Sequence, residues 1–445
     1  MERIIALAKK RAQKAEVFRI QKEASPACFL GGKLNALEGE NSISTGLRVI
    51  SNGRLGFSST THPREIDGLV DRAIESARFG PETDLAFPSL IRNAGKCGCY
   101  DAKVEKLTLQ DIIATGEEMV DIVTRAFPDV NIEAEVSREL HQVSIMNSEG
   151  GHVSYEKTIH QSFLNVLLML PSDRAELEDT RTTTHLTDAP KKMADMAVWR
   201  FRHCHRVAPV KTGKTTVVFT SLGFRGLFVP LFYGLNGELA HRKLSLMTDR
   251  IGENVVHPFI TLADDPTMPG LPGSCPFDDE GVPTSRKILI DRGVLRGYFY
   301  DLDTGCKAGV GSTGNGFKKS SLYTGFSIDS LPSPWPSSFV MSPGNLSRDE
   351  IIRSIDDGII VDDLMGAGQG NNLNGEFSMS IALGYKIEKG EIVGRVKDVM
   401  VAGNVFDILK NNVRCLSQEL YPEDTLFGRY AVPWIAFDAM PVAAT

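Results

Sequence analysis

The sequence has no excess of basic residues, no long apolar run and no even set of clustered cysteines, and each absence removes a class of protein. Its 445 residues carry 49 Lys and Arg against 56 Asp and Glu, a net charge of −7. That balance, with no basic run interleaved with aromatics, argues against direct nucleic-acid contact. The longest mostly apolar stretch, around residues 163–170, is far short of the ~20 residues that span a bilayer. Met1-Glu2-Arg3-Ile4-Ile5 shows no charged leader running into an apolar segment, so no export signal is expected. The seven cysteines (Cys28, Cys97, Cys99, Cys204, Cys275, Cys306 and Cys415) are odd in number and scattered, the pattern of reduced thiols. Cys97-Gly98-Cys99 stands without a second pair and makes no metal site by itself. The expectation is a soluble cytoplasmic protein with no membrane segment.

Familiar catalytic signatures are also missing. There is no His-Glu-x-x-His, no Gly-x-Ser-x-Gly elbow and no Gly-x-Gly-x-x-Gly opening a helix. The near misses fail on geometry. Residues 208–215, Ala-Pro-Val-Lys-Thr-Gly-Lys-Thr, fit a relaxed phosphate-loop pattern. A helix is expected before them and a strand after, the reverse of what aims backbone N–H groups at phosphate. His203 and His205 flank Cys204 near a helix end, where successive side chains point ~100° apart and do not converge. Glu238 and His241 share a helix face, but carboxylate-bridged metal sites need a second such pair, so a surface salt bridge is favoured. Asp264-Asp265 and Asp278-Asp279-Glu280 offer acids for proton transfer if burial shifts a pKa, or for capping turns.

What is present fits an ordinary globular chain: 42% hydrophobic and 24% charged residues, long enough for two or three cores. Apolar spacing predicts helices over 2–14, from Pro63 to Gly80, over 108–127 and near 189–205. Thr108 with Asp111, and Ser347 with Glu350, have capping-box spacing, and Gly358 is expected to end the second of those helices. A short helix is expected at 404–411. Asn52-Gly53 between β-like runs predicts a hairpin. Strands are expected at 132–145, 153–170, 214–220, 287–289, 295–300 and 377–386. Residues 81–102 read as a linker and the tail from Tyr421 as irregular. The fold class is α+β: a mixed α/β portion, comprising an N-terminal domain (1–90) and a central domain (103–209), followed by a β-rich C-terminal domain (210–445).

Several short stretches, in order along nearly the whole chain, resemble the TldD/PmbA family, also called modulators of DNA gyrase. They are Thr45-Gly46-Leu47-Arg48-Val49, residues 52–59, Ile251-Gly252-Glu253, Asp264-Asp265-Pro266, residues 277–284, Ser312-Thr313-Gly314-Asn315, Gly375-Glu376-Phe377-Ser378 and Ala402-Gly403-Asn404. The resemblance implies a peptidase system acting on peptides or unfolded proteins, in which a zinc-bearing TldD-type chain dimerises with a PmbA-type (TldE-type) chain. A self-dimer is the other arrangement, and a regulatory role without peptidase activity the other function. The zinc chain carries His-Glu-x-x-x-His ahead of a Gly-Leu-acid-Gly-Asp piece. Here Gly234-Leu235-Asn236-Gly237-Glu238 matches that trailing piece. It places Phe228 and Val229 at the first His and the Glu, and Tyr233 at the second His. Phe and Val have no donor atom, and a Tyr phenol keeps its proton to pH ~10. The resemblance therefore implies the PmbA branch, with no metal in this chain and zinc only in a TldD-type partner. Phe228, Leu231 and Phe232 read as a packed helix face, with Pro230 at its start or kinking it. Asp278, Asp279, Glu280 and Gly281, and Ser312, Thr313, Gly314 and Asn315, are the candidate substrate-binding residues.

Overall fold

In the computed structural model, which describes residues 1–89, 97–170, 173–321, 324–366, 371–425 and 428–444, the first half of the chain is a single antiparallel sheet. Its strands are β1 (Lys14–Leu30), β2 (Lys33–Ala36), β3 (Glu40–Ser51), β4 (Arg54–Thr60), β5 (Asn131–Asn147), β6 (His152–Leu170) and β7 (Asp173–Thr183). The order is β4-β3-β1-β5-β6-β7, with β2 on the end of β1. The segments 1–90 and 103–209 both contribute strands to this sheet. β1 pairs with β3 on one edge and with β5 on the other, from Glu16↔Asn147 to Leu30↔Glu133, so both segments share one hydrogen-bonded layer.

Helices cover one face of that layer. α1 (Glu2–Ala8) and α2 (Ile66–Ala77) bury Ile4, Ile5, Leu69, Val70 and Ala73 on Ala15, Val17, Leu47 and Val49. After the short α3 (Ala102–Glu105) comes α4 (Leu109–Ala126), opened by the capping box of Thr108 and Asp111. It packs with α5 (Ala189–Arg202) over β5 and β6. α1 ends before the expected residue 14, since Lys9, Lys10 and Arg11 bring no apolar stripe and β1 begins at Lys14. At the β3–β4 hairpin Asn52 and Gly53 both have positive φ, 51° and 70°, the conformation those residues tolerate and a two-residue turn demands. The expected linker is partly core: Leu85 and Phe87 are buried with Ile50, while its residues 90–96 lie outside the described ones.

The second half is built on a closed ring of strands. β8 (Gly213–Phe219) lies between Asp357–Met365, parallel to it, and Ile435–Ala444. Ile435–Ala444 pairs with Val399–Asn404, that strand with Glu376–Glu388, and Glu376–Glu388 returns to Asp357–Met365. Two expectations are corrected here. Gly358 does not terminate a helix but sits in the ring, the capped helix having stopped at Arg353. The tail is not irregular: Tyr421–Thr425, Gly428–Val432 and Ile435–Ala444 are strands, and the last carries buried residues on both faces. Strand 295–300 shrinks to Val294–Leu295.

Two fully buried ionic seams join the halves, besides the partly exposed pairing of Asp173 with Arg395 and Lys397. In one, Arg200 of α5 bridges Asp179 of β7 at 2.9 Å and Asp362 of the ring at 2.6 Å. The other centres on Arg48 of β3. The sheet face away from the helices meets the second half through Phe277, packed on Phe18, Val143, Ile145 and Val153.

Candidate functional site

The residues aligned with the zinc motif lie on α6 (Arg225–Leu235), which leads out of β8 through residues 220–224. Gly223 lets this approach graze the ring: a Cβ there would lie 2.4 Å from the Val361 carbonyl oxygen. The helix is apolar nearly all round and buried accordingly. Phe228 and Val229 are both fully covered. The Phe228 ring lies 5.3 Å from that of Phe339 and 5.0 Å from that of Tyr430. One turn on, Phe232 stacks 4.3 Å from Trp335 and 5.6 Å from Phe299. Tyr233 is half-buried beside it. Pro230 sits inside the helix, not at its start, and its missing N–H is tolerated within this apolar packing.

α6 ends at Asn236, whose Oδ1 accepts the N–H groups of Glu238 and Leu239 at 2.9 and 3.2 Å, opening α7 (Gly237–His241). Asn236 Nδ2 donates to the Pro334 carbonyl at 3.1 Å. Glu238 pairs with Arg242 at 3.1 Å on the surface and not with His241, as its helical spacing favours.

These side chains do not fit a zinc ion. Phe228 and Val229 supply only carbon, and the space a metal and its water would need is filled by aromatic rings. Among the described residues, no three His, Cys, Asp or Glu side chains are grouped to hold a metal.

The acidic loop of the substrate-binding candidates lies at the seam between the halves. Asp278, Asp279, Glu280 and Gly281 are all buried. Arg48 donates to Glu280 Oε1 at 2.7 Å and to Glu16 Oε1 at 2.8 Å, and its guanidinium lies 5.1 Å from the Phe87 ring centre. Glu280 Oε2 accepts the Leu302 N–H at 2.7 Å. Asp278 caps its own turn, accepting from Glu280 and Val282, and accepts the Gly316 N–H at 2.9 Å with its other oxygen. Asp279 accepts the Lys318 N–H at 2.7 Å. Gly316 must be glycine, because a Cβ would lie 2.1 Å from Glu280 Oε2.

The second loop joins the same network. Asn315, fully buried, donates to Asp264 Oδ2 at 2.7 Å and to the Trp335 carbonyl at 2.9 Å, and accepts from Thr313 at 2.7 Å. Asp264 is held further by Ser337, Ser338 and Lys287. Gly314 is covered, and only Ser312 and Thr313 keep partial exposure. Both loops are therefore brought together, through Gly316 and Asp278, and the second meets the aromatic cluster through the Trp335 carbonyl. Sequence reasoning missed Glu16, Lys318 and Asp301 as partners. Arg48 was in view, within Thr45–Val49, but nothing in that stretch announces a carboxylate 232 residues on.

Burial sets the electrostatics of the seam. It pushes Glu16 up to about 7, with the Arg48 charge offsetting part, and Asp279 up to about 6. Burial and the Glu280 charge push Asp301 up to about 7, and burial then Arg48 bring Lys318 down to about 8. Asp278 is raised by burial and by Glu280. A carboxyl raised on folding stabilises the fold fully below its unfolded pKa of ~4 and loses that contribution as pH rises through its folded value. Asp301→Asn, which stays neutral and can still cap Thr304, is therefore expected to gain on the wild type between pH 5 and pH 8. The relative gain should be about 1 kcal/mol or more in urea titrations. A difference independent of pH would contradict this.

The fold is α+β, and the family it belongs to is a metallopeptidase-type one. Residues 212–444 match the family model described as the PmbA/TldA metallopeptidase C-terminal domain, and residues 16–77 match the domain 1 model of the same family. The chain belongs to this TldD/PmbA family. It is 35% identical over 178 residues to a metalloprotease TldD homolog of Haemophilus influenzae, covering 40% of this chain and 35% of that one. It is 28% identical over 405 residues to metalloprotease PmbA of Escherichia coli O157:H7, covering 86% and 82%. The crystal structure of TldE from Thermococcus kodakarensis superimposes with a TM-score of 0.90 over 100% of both chains at 22% identity, a likeness of fold. Among the described residues no helix is long and apolar enough to cross a membrane.

Proposed function

We propose that this chain is the PmbA-type, TldE-like subunit of a TldD/PmbA peptidase system in the cytoplasm, and that it carries no zinc at the family's motif position. One observation carries the reading: Phe228, Val229 and Tyr233 stand where the zinc chain has His, Glu and His, and they belong to a packed aromatic core. In this reading the chain supplies structure to the chamber while a TldD-type sister supplies the metal. The sister's zinc would polarise the scissile carbonyl and activate water. In this reading Ser312 and Thr313, partly exposed hydroxyls beside the seam, are the candidates to meet a peptide, and their exposure supports it. Unfolded or peptide-like chains are the substrate class.

The test is peptide cleavage by the purified chain alone and after co-expression with a zinc-bearing TldD-type chain. Activity only in the co-purified pair supports the proposal. Cleavage by this chain alone, abolished by a chelator, would overturn it.

A further inference from the structure

Beside the seam, three segments bring three of the seven cysteines and a buried ammonium to one place. The Cys97-Gly98-Cys99 segment lies against β6, where the Thr158 N–H donates to the Cys99 carbonyl at 3.0 Å. Cys97 Sγ donates to the Pro266 carbonyl at 3.5 Å, the same carbonyl that accepts the Cys275 N–H at 3.1 Å. Gly98 presses on Pro269, where a Cβ would lie 2.6 Å from Cα, and its carbonyl accepts Thr184 Oγ1 at 2.9 Å. Lys157 of β6, buried, donates to the Pro272 carbonyl in the same loop. The Cys97 and Cys99 thiols are close enough for one to hydrogen-bond the other's thiolate, and Lys157 and Cys275 lie within charge range of both.

A buried ammonium whose partner is a neutral carbonyl is costly unless an anion is near. Cys99 Sγ, 3.5 Å from the Glu156 carbonyl, and Asp279 lie within charge range of Lys157, and the Cys97 contact and then Lys157 favour the Cys99 thiolate against the effect of burial. The same contact, with burial, pushes Cys97 up, and burial pushes Cys275 up, so one thiol of the three is poised to ionise. The other titratable groups facing the cluster are Asp278, Asp279, Tyr155 and Arg429. The absence of a metal-holding group among the described residues points away from a cysteine–metal site.

We propose that Cys97 and Cys99 are a reversible dithiol–disulfide pair oxidised by a small hydroperoxide, with Cys99 as the attacking sulfur and Cys97 as the resolving one. Cys99 is only 5% exposed, so an oxidant of nearly water-like size reaches it and a bulky disulfide does not. In the first step the Cys99 thiolate attacks one oxygen of hydrogen peroxide. The S–O bond forms, the O–O bond breaks, and the hydroxide leaving takes up a proton to become water. In the second, the Cys97 sulfur attacks the sulfenic sulfur. The S–S bond forms, the S–O bond breaks, and the oxygen leaves as a second water with the sulfenic hydrogen and the Cys97 proton. Two electrons pass from the sulfurs to the peroxide, and a thiol reductant reverses the change.

The experiment treats the purified full-length chain with hydrogen peroxide, then alkylates and maps cysteines by mass spectrometry without reduction. A peptide containing an internal Cys97–Cys99 disulfide, two hydrogen atoms lighter than the dithiol, should appear at least tenfold faster than oxidation of exposed Cys306. Dithiothreitol should reverse it. Cys97→Ser should stop at the Cys99 sulfenic acid, Cys99→Ser should show no fast oxidation, and Lys157→Met should slow the first step. Melting curves confirm that each variant is folded, and the wild-type rate ratio stands whether or not they are. Oxidation of Cys97 and Cys99 no faster than Cys306, or protection of both by stoichiometric zinc, would overturn the proposal.

Discussion

Arg48→Ala is expected to destabilise the chain by about 3–5 kcal/mol, the cost of leaving buried carboxylates without their counter-ion. Arg48 holds Glu16 from β1 and Glu280 from the second half, and all three side chains are at most 5% exposed. Glu16 Oε2 already lacks a hydrogen-bond partner, so removal of the guanidinium leaves that side chain only the weaker Lys318 charge. Two substitutions separate the charge effect from packing. Arg48→Met preserves much of the volume, and its combination with Glu16→Gln and Glu280→Gln removes the orphaned charges. Urea titration should show that triple variant recovering at least half of the Arg48→Ala loss. Recovery by Arg48→Met alone as large as that of the triple variant would mean that packing on Phe87, not charge pairing, is what Arg48 contributes.

Phe228→Ala is expected to cost about as much, roughly 3–5 kcal/mol, by opening a cavity between two rings. Its neighbours Phe339 and Tyr430 belong to adjoining parallel strands, which cannot close the gap without shifting the sheet. Phe228→His carries the sharper message. It installs the family's first zinc ligand yet buries an imidazole among aromatic rings, where its N–H lacks an acceptor. We expect loss of stability by thermal melting and no gain of zinc. Stoichiometric zinc in that variant, with wild-type stability, would show a latent metal site that the packing does not suggest.

Much of the local structure was legible because its causes are local. Thr108 with Asp111, Ser347 with Glu350, and Asn52-Gly53 each carry the chemistry of their cap or turn within three residues. What failed was long-range. The pairing of β1 with β5 joins residues more than 100 apart, and no linker signal shows that it occurs. The tail looked irregular because Ile435, Ala436 and Phe437 are all buried, which erases the alternation of a one-sided strand. At the site, the trailing Gly234–Glu238 fixed which residues occupy the motif positions. The acids of 278–280 were visible as acids, but whether they face substrate or a buried arginine depends on a partner in another sheet. Cys97-Gly98-Cys99 was visible as a pair, but its neighbours Cys275 and Lys157 come from distant segments.

The central claim is that zinc has no place in the helix of Phe228 and Tyr233. Metal content of the purified chain, expressed in zinc-supplemented medium and dialysed against buffer without chelator, tests it most directly. Substoichiometric zinc in this chain alone, rising to about one per pair when a TldD-type chain is co-purified, is the predicted result. One tightly held zinc per chain in its absence would contradict it.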